Sequence, residues 1–476
     1  MNFYYLSPDK EFRLNNLQEL STHSALVIEN GQLYNLSIQS KLFYYVNEES
    51  HSIYFADSIR SFLMVTSLEL DEELVFFQQN VGFLFAPYTI YKNIYRIPTS
   101  TKLLINEEEL SIRFERVFPV IGEKELDLSE FERILTRSLV TKADINNIIL
   151  HGGGADSSLL VAICAKNNIV CESLTCEMTG METEATLAKK IAQSKGLKHS
   201  LHRVEQAKVK QILKQYVAEN LEVVADPIMP VMREMLFSLK DKTIIDGQGA
   251  DSVLLAVPHA KLIRLYSPML SLLLKLPVKI FQFVPTDKST NLGRKLYRIK
   301  KVIYSLSAKN LVECILISLN FPMIKQSQYL QFAKKELNSI FGAHPDKYKM
   351  FIYIFLYCIL PVREMQKYEG LDKKGLLFNF PFLNEAFIKY IFQLKTASFF
   401  DGRNIKIPVY ELLGREMPGF IKKNNTKPFF VKYLSDSLTV DNIYQGKKYP
   451  IVDSSNFEFT TYNITLLKAE LQKLRD

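Results

Sequence analysis

Short runs of β-branched and aliphatic residues alternate, in the middle of the chain, with segments whose apolar residues recur at helical spacing. The run Ile148–Leu150, for example, is followed by apolar residues at helical intervals, among them Leu159 and Ile163. The predicted strands are Ile148–Leu150, Val170–Thr175, Leu201–Val204 and Thr243–Ile245. This alternation predicts an α/β fold with a parallel sheet that holds its ligand at the carboxyl ends of the strands.

The regions on either side of this pattern differ from it. Residues 1 to about 120 are rich in predicted strands, and a helix from Asp127 through Val140, with Phe131 and Leu135 on its apolar face, opens the next region. From about Leu255 onward the pattern is mostly helical. We therefore predict two domains, 1–120 and 121–476, the second with a helical carboxy-terminal part.

Two apolar stretches in the helical region raise the question of a membrane. Leu265–Pro285 is interrupted by prolines and lysines, and Met350–Val362 is too short to span a bilayer. We expect both to be buried helices and predict no membrane span. An apolar, aromatic-rich groove in this region would suit a peptide substrate.

Composition and charge add bounds to this picture. A chain of 476 residues, 47% of them hydrophobic, can form two domains with sizeable cores. Its five cysteines have neither metal-site nor disulfide spacing, and its first residues lack the features of a signal peptide, so we expect a reduced, cytoplasmic protein. The net charge of +8 is mild for this length, and the absence of a basic repeat with interleaved aromatic residues argues against nucleic acid as a partner.

A glycine-rich loop follows the first predicted strand. The run from His151 to Ser158 reads H-G-G-G-A-D-S-S and leads into a predicted helix. Glycines let backbone N–H groups approach an anion, and a helix start adds partial positive charge, so this loop suits phosphate. Asp156 adds a hard oxygen ligand for the magnesium ion that accompanies a nucleoside triphosphate. An ordinary strand-to-helix turn is the alternative, whereas the spacing excludes a Walker loop and a dinucleotide-binding loop.

A second turn of this kind lies about a hundred residues further on, where Thr243–Ser252 reads T-I-I-D-G-Q-G-A-D-S. The first motif resembles the S-G-G-x-D-S signature of the PP-loop ATP pyrophosphatases, and the second resembles the S-G-E-G-A-D-E segment of asparagine synthetase and its relatives. The resemblance implies ATP and Mg²⁺ as cofactors, with Asp156 and Asp251 at the magnesium sites. The nucleotide-binding residues that it implies are Gly152, Gly153, Gly154, Asp156, Ser157, Ser158, Leu174, Gly247 and Gly249.

The resemblance to this family extends along most of the chain. Further similar segments are Glu182–His199, Asp226-Pro227, Pro381–Asn384 and Asn425–Phe429. The last of these looks like the segment with the family's late catalytic lysine, which implies that Lys427 stabilises the charge that develops as AMP leaves. A solvated lysine in a basic stretch is the alternative. The first hundred residues are similar to part of the family's glutaminase domain, which implies a degenerate Ntn-hydrolase-like domain before the PP-loop domain.

Several positions depart from the family pattern. A working glutaminase needs an amino-terminal cysteine, but this chain begins Met1-Asn2 and its first cysteine is Cys164. We therefore expect a nitrogen nucleophile other than ammonia derived from glutamine. Gly152 stands where the PP-loop serine is usual, which removes one hydroxyl donor and leaves the backbone donors in place.

The proton acceptor of the reaction is another open position. Gln248 lies between the glycines of the second motif, and its neutral amide can orient a substrate but cannot act as a general base. In the β-lactam synthetases, which belong to this family, a tyrosine occupies the position of Gln248 and pairs with a glutamate. That glutamate would fall near Leu377, so the pair is absent here. Glu364, Tyr368 and Glu369 are candidate acceptors, with packing or surface roles as the alternative. A peptide α-amine, with a pKa of about 8, needs less help from a base than an amide or a hydroxyl does.

These features favour an ATP-dependent ligase that forms amides, most like a lasso peptide cyclase. Such an enzyme adenylates a side-chain carboxylate of a precursor peptide, and the freed α-amine then closes a macrolactam. The precursor peptide and a leader-peptide protease are the expected partners. One alternative is a ligase for a small carboxylate that uses ammonia or another amine. The other is an inactive PP-loop scaffold protein, which is motivated by Gly152, Gln248 and Ser252.

Overall fold

The computed structural model describes residues 2–7, 10–140, 147–179, 185–281, 291–419, 443–445, 447–448 and 454–475. Its strands are β1 (Asn2–Ser7), β2 (Lys10–Leu14), β3 (Val27–Glu29), β4 (Gln32–Asn35), β5 (Phe43–Asn47), β6 (Ser52–Ala56), β7 (Ile94–Arg96), β8 (Thr101–Asn106), β9 (Ser111–Arg116), β10 (Asn147–Leu150), β11 (Cys171–Met178), β12 (His199–Val204), β13 (Thr243–Ile245), β14 (Leu377–Asn379), β15 (Ile443–Tyr444) and β16 (Lys447–Lys448).

The helices are α1 (Leu20–His23), α2 (Glu72–Val81), α3 (Leu128–Leu139), α4 (Ala155–Lys166), α5 (Ala185–Ser194), α6 (Gln206–Asn220), α7 (Met229–Phe237), α8 (Ala250–Val253), α9 (Ala260–Leu265), α10 (Pro268–Phe281), α11 (Asn291–Leu306), α12 (Leu311–Ser318), α13 (Gln328–Ala343), α14 (Lys347–Tyr353), α15 (Leu360–Arg363), α16 (Glu385–Gln393), α17 (Ile407–Glu416) and α18 (Ser454–Arg475).

A five-stranded parallel sheet forms the centre of the molecule, with the strand order β12-β11-β10-β13-β14. In its register Ile149 pairs with Ser173 on one side and with Ile245 on the other. Both central strands are buried, which explains why they read as short, continuous apolar runs. The predicted parallel sheet is confirmed, and all four predicted strands belong to it. The predicted helix is also confirmed as α3, which Asp127 caps by accepting hydrogen bonds from the N–H groups of Ser129 and Glu130.

The strand order places two loops side by side. From β10 the chain proceeds to β11 on one side, whereas β13 joins β10 on its other side. Such a reversal of direction leaves a crevice at the carboxyl edge of the sheet, between the loops that follow the two diverging strands. The loop after β10 is the glycine-rich motif, and the loop after β13 is the second motif.

Strands β1–β9 form two further sheets. One has the order β2-β1-β6-β5-β7, and the other has the order β3-β4-β8-β9. Side chains of both sheets meet in one apolar core, which includes Tyr5, Leu33, Phe55 and Leu103. That this region derives from a glutaminase domain stays a prediction.

A buried ion cluster joins this strand-rich region to the rest of the chain. The Nζ atom of Lys41, just before β5, lies 2.5 Å from Oε1 of Glu222 and 2.7 Å from Oε2 of Glu369. The hydroxyl of Tyr216 donates a hydrogen bond of 2.7 Å to the same oxygen of Glu369. Burial opposes a charge on Glu369, but the cations Lys41 and Arg96 outweigh it and lower the pKa of this carboxyl.

The two apolar stretches of the helical region behave differently. Met350–Val362 covers most of α14, a π-helical turn at Ile354–Ile359 and part of α15, and its residues are largely buried, as expected. The expectation of burial is wrong for the start of Leu265–Pro285, where α10 exposes Met269, Leu272 and Leu273. No helix in the described part of the chain is long and apolar enough to cross a membrane.

Candidate active site

The glycine-rich loop leaves open space above the start of α4. Gly153 has a φ of +80°, which favours glycine, and Gly154 is the N-cap residue of α4. A Cβ atom at Gly152 or Gly154 would meet no atom within 4 Å. No side chain caps this helix start, so its backbone donors can serve an anion.

A buried histidine supports the loop from below. Nε2 of His151 lies 3.2 Å from Oγ of Ser158, and its Nδ1 lies 3.2 Å from Oγ of Ser173. Burial, with a smaller contribution from His199, lowers the pKa of His151 to about 4, so the ring is neutral near pH 7.

Several residues of the predicted nucleotide set make contacts within the loop or with the adjacent strand. Ser158 contacts His151, and the carbonyl of Leu174 accepts a hydrogen bond of 2.8 Å from the His151 N–H. The hydroxyl of Ser157 donates to the carbonyl of Gly154 at 3.4 Å. These contacts shape the loop, and the space above it is bordered by Gly152 and Gly154.

The second motif packs directly against the first. A Cβ atom at Gly247 would lie 3.4 Å from Cβ of Asp156, so the two loops touch. Gly249 has a φ of +90°, and a Cβ there would lie 2.1 Å from Cδ2 of Leu383. Glycine is therefore required at position 249 by both its backbone conformation and its neighbour. Leu383 belongs to the 3₁₀ turn Pro381–Leu383, which places this segment against the second motif.

A lysine joins the two candidate magnesium ligands. Nζ of Lys406 contacts Oδ2 of Asp156 and lies 2.5 Å from Oδ1 of Asp251. Lys406 is nearly buried, whereas the side chain of Asp251 is 66% exposed. Burial opposes the charge on Lys406, but the two carboxylates outweigh it and raise its pKa. The site thus contains two carboxylates and a cation from three separate segments of the chain.

Lys406 was not among the predicted site residues, and its unusual position is visible only in the structure. Lys406 is the N-cap residue of α17, in the left-handed conformation with a φ of 53°. Its side chain offers no acceptor for the free N–H groups of the helix, and a cation is unfavourable at this end of a helix dipole. A residue that fits its local position so poorly indicates a role set by tertiary contacts.

The two aspartates fit a magnesium ion that nucleotide phosphates help to hold. Oδ1 of Asp156 is buried and has no hydrogen-bond partner among the described residues. Those residues contain no group of three or more histidine, cysteine, aspartate or glutamate side chains that could hold a metal. Mg²⁺ is commonly bound by one or two carboxylates together with phosphate oxygens and water, which matches this donor set.

Gln248 is the centre of a second polar cluster. Its side-chain oxygen accepts a hydrogen bond of 2.5 Å from Nζ of Lys367, and its side-chain NH₂ donates to Glu364. Burial, reinforced by Asp226, raises the pKa of Glu364 even though Arg363, Lys367 and the Gln248 amide act in the opposite direction. A carboxyl group with a raised pKa therefore lies one hydrogen bond from the second motif.

Of the other residues considered for catalysis, Tyr368 also contacts the second motif, whereas Glu369 does not. Tyr368 donates its hydroxyl proton to Asp246, and burial raises the pKa of Tyr368 well above 10. Glu369 belongs to the buried ion cluster with Lys41. Leu377 is 55% exposed on β14, and Lys427 lies outside the described residues.

A parallel sheet with an open phosphate-type loop at its crevice, two adjacent carboxylates and a bridging lysine define an α/β nucleotide-binding protein. The sequence model of the asparagine synthase family matches residues 143–442, which is more than half of the chain, and the chain belongs to this family. Membership implies an ATP-dependent carbon–nitrogen ligase, and the family uses ATP, generally with Mg²⁺. A comparison with curated proteins finds no significant match.

Proposed function

We propose that this protein adenylates a carboxylate with ATP, releases pyrophosphate and joins the acyl group to an amine, and that its substrate is a precursor peptide in which it closes a macrolactam. The observation that supports this proposal most is the meeting of Asp156, Asp251 and Lys406 beside the open glycine-rich loop. This site combines phosphate donors, metal ligands and a cation, which are the groups that adenylation needs.

In the first step a carboxylate oxygen of the substrate attacks the α-phosphorus, and the bond to the pyrophosphate oxygen breaks. The uncapped N–H groups at the start of α4 hold phosphate oxygens. Asp156 and Asp251 would hold Mg²⁺, which would neutralise phosphate charge. Lys406 adds positive charge, and its contacts with both carboxylates keep its position fixed.

In the second step the amine attacks the acyl carbon, AMP leaves with its oxygen, and the nitrogen loses a proton. We assign Glu364 as the acceptor of this proton. Its pKa is raised, which brings it closer to that of an amine, and the Gln248 amide holds its carboxyl group. Lys367 fixes the orientation of that amide by donating to its oxygen. Tyr368 is already a proton donor, which makes it a poorer candidate.

Two features favour a peptide amine. Residues 1–163 contain no cysteine, so they offer no thiol for the hydrolysis of glutamine. An amine that arrives preformed, such as the α-amine of a peptide, has a pKa of about 8 and is partly neutral at neutral pH. Attack by this amine on a side-chain acyl-adenylate of the same peptide closes a ring and releases AMP.

ATP–pyrophosphate exchange with candidate carboxylates tests the first step, and product mass tests the second. We expect exchange with a core peptide and a product lighter than the peptide by one water. Asp156→Asn and Asp251→Asn should each lower the exchange at least 100-fold, while Asp372→Asn, at an exposed position, leaves it unchanged. If ATP binds but no peptide or small acid supports exchange, the proposal is wrong. Exchange with small acids alone would instead favour a ligase for small carboxylates.

Glu364→Gln separates the two steps. We expect the exchange rate to stay within threefold of the unmodified protein, because adenylation needs no proton acceptor, while amide formation falls at least 100-fold. Glu364→Asp should restore part of the loss. Glu385→Gln, at an exposed position, is the control. Unchanged amide formation in Glu364→Gln would reject this role without affecting the proposed adenylation.

A further inference from the structure

The helices α10 and α11 pack against each other and expose an unusual amount of apolar surface. Met269, Leu272 and Leu273 lie on one face of α10, and their exposed fractions are 73%, 64% and 64%. Side chains of this type are normally buried or exposed singly. Seven of the large apolar residues that the described chain exposes lie between Leu265 and Tyr304.

Helix α11 also exposes apolar side chains. Ile299 and Val302 are 49% and 39% exposed, and Lys295 and Arg298 are exposed on the same face. The residues Leu265, Met269, Leu272, Leu273, Ile299 and Val302 are called the α10–α11 patch below. Lysine and arginine side chains therefore lie next to the apolar residues of the patch.

Positive charge is concentrated in this part of the sequence. From Arg264 to Lys309 the chain has ten basic residues and one acidic residue, Asp287, for a net charge of +9. The whole chain has a net charge of +8, so the remainder has a net charge of −1. A surface partner must consequently match apolar side chains in a basic part of the chain, with the exposed cations Lys295 and Arg298 on α11.

We propose that the α10–α11 patch binds an anionic membrane surface. A bilayer with acidic lipids offers acyl chains for Met269, Leu272 and Leu273 and anionic headgroups for Lys295 and Arg298. This combination of a large apolar face and a basic border is typical of helices that lie in the plane of the interface. Such binding needs no transmembrane helix.

A second copy of the chain fits this surface less well. A two-fold contact through the patch would bring the exposed cations Lys295 and Arg298 of the two copies together, which is electrostatically unfavourable. An anionic bilayer has the opposite charge, and it accepts exposed leucine and methionine side chains without a shaped pocket.

Vesicle sedimentation with the full chain tests the proposal. We expect binding to vesicles that contain phosphatidylglycerol to be at least tenfold tighter than binding to vesicles of phosphatidylcholine alone, and to weaken as salt is added. Leu272→Glu combined with Leu273→Glu, and Lys295→Glu combined with Arg298→Glu, should each weaken binding at least tenfold. Val170→Glu and Lys240→Glu, which change an exposed apolar residue and an exposed cation elsewhere, should change it less than twofold.

Thermal unfolding of each variant shows whether it has folded. ATP–pyrophosphate exchange is a second check on folding, and it should stay unchanged because the patch residues lie outside the candidate active site. The proposal is overturned if anionic vesicles are not bound, or if the folded patch variants bind them as well as the unmodified chain. It is also overturned if these substitutions abolish a dimer seen by light scattering, or the binding of an acidic peptide, while vesicle binding persists.

Discussion

The ammonium group of Lys406 lies 2.5 Å from a carboxylate oxygen of Asp251. The same nitrogen also contacts Asp156, at the other loop of the crevice. Two carboxylates that contact the same ammonium group lie close together and would repel each other without that cation. The lysine therefore stabilises the arrangement of the two loops before a nucleotide binds.

Lys406→Met should impair both stability and adenylation. Removing the cation leaves the charges of Asp156 and Asp251 uncompensated. We expect a loss of about 2–3 kcal/mol in the free energy of unfolding. This loss is smaller than for a fully buried pair because Asp251 is largely exposed. Pyrophosphate exchange should fall at least 100-fold. Urea unfolding and exchange kinetics measure the two effects, and Lys406→Arg, which keeps the charge, should lose less of each. Normal exchange in Lys406→Met would contradict the assigned role.

Gly249→Ala should disrupt the contact between the second motif and the turn at Leu383. The φ of +90° strains any residue with a Cβ, and Leu383 must move to admit the methyl group. We expect a loss of about 2–4 kcal/mol in urea unfolding. Gly414→Ala is the matched control, because this glycine lies inside α17 in open space and should gain roughly 0.5–1 kcal/mol.

Gly152→Ser should be tolerated and should strengthen ATP binding. A Cβ at this position meets no atom within 4 Å, and the hydroxyl adds one donor near the phosphates. One hydrogen bond contributes about 0.5–1.5 kcal/mol, which corresponds to an affinity up to roughly tenfold higher in calorimetric titration with ATP and Mg²⁺. Gly153→Ser, at a φ of +80°, should weaken binding instead. Weaker binding by a well-folded Gly152→Ser variant would argue against phosphate above this residue.

Lys41→Met should destabilise the fold strongly. The substitution leaves Glu222 and Glu369 without their shared buried cation, which costs about 3–5 kcal/mol in comparable pairs. Lys92→Met breaks the exposed pair between Lys92 and Glu69 and should change the free energy of unfolding by less than about 1 kcal/mol. Similar effects of the two variants would show that the buried cluster contributes little to stability.

His151 should make stability depend on pH. Its pKa is lowered to about 4 in the folded protein, against about 6.5 in the unfolded chain, so protonation favours unfolding. Its contribution is fully present above pH about 6.5 and is lost as the pH falls through about 4, for a total of roughly 2–4 kcal/mol. Urea unfolding at several pH values measures how the free energy of unfolding changes with pH, and this dependence should be weaker in His151→Asn. His51→Asn, at an exposed position, should keep the original dependence.

The central sheet could be predicted because its strands carry their own signal. Buried parallel strands read as apolar runs, and the two central strands β10 and β13 have such runs. Strand β14 has only three residues, Leu377-Phe378-Asn379, and its pairing with β13 depends on distant parts of the chain. This segment by itself carries no local signal that would predict a strand.

The difference between local signals and tertiary contacts also explains what could be predicted of the candidate site and of the exposed helix. The glycine loops are local motifs, so their spacing was visible, whereas Lys406 reaches Asp156 only through the tertiary fold. The apolar stretch Leu265–Pro285 predicted a helix, and α10 lies within it. The stretch did not reveal whether another part of the protein covers this helix, because hydrophobicity alone does not identify a partner.

The π-helical turn at Ile354–Ile359 determines the direction in which the later side chains of that helix point. A turn of this kind contains one residue more than an α-helix would use. Deleting one apolar residue within it would keep the core composition nearly unchanged, but would rotate Glu364 by about 100° around the helix axis. The carboxyl group would then no longer face the Gln248 amide. A single residue of chain length in a buried helix thus determines whether this chain has a carboxylate beside its second motif.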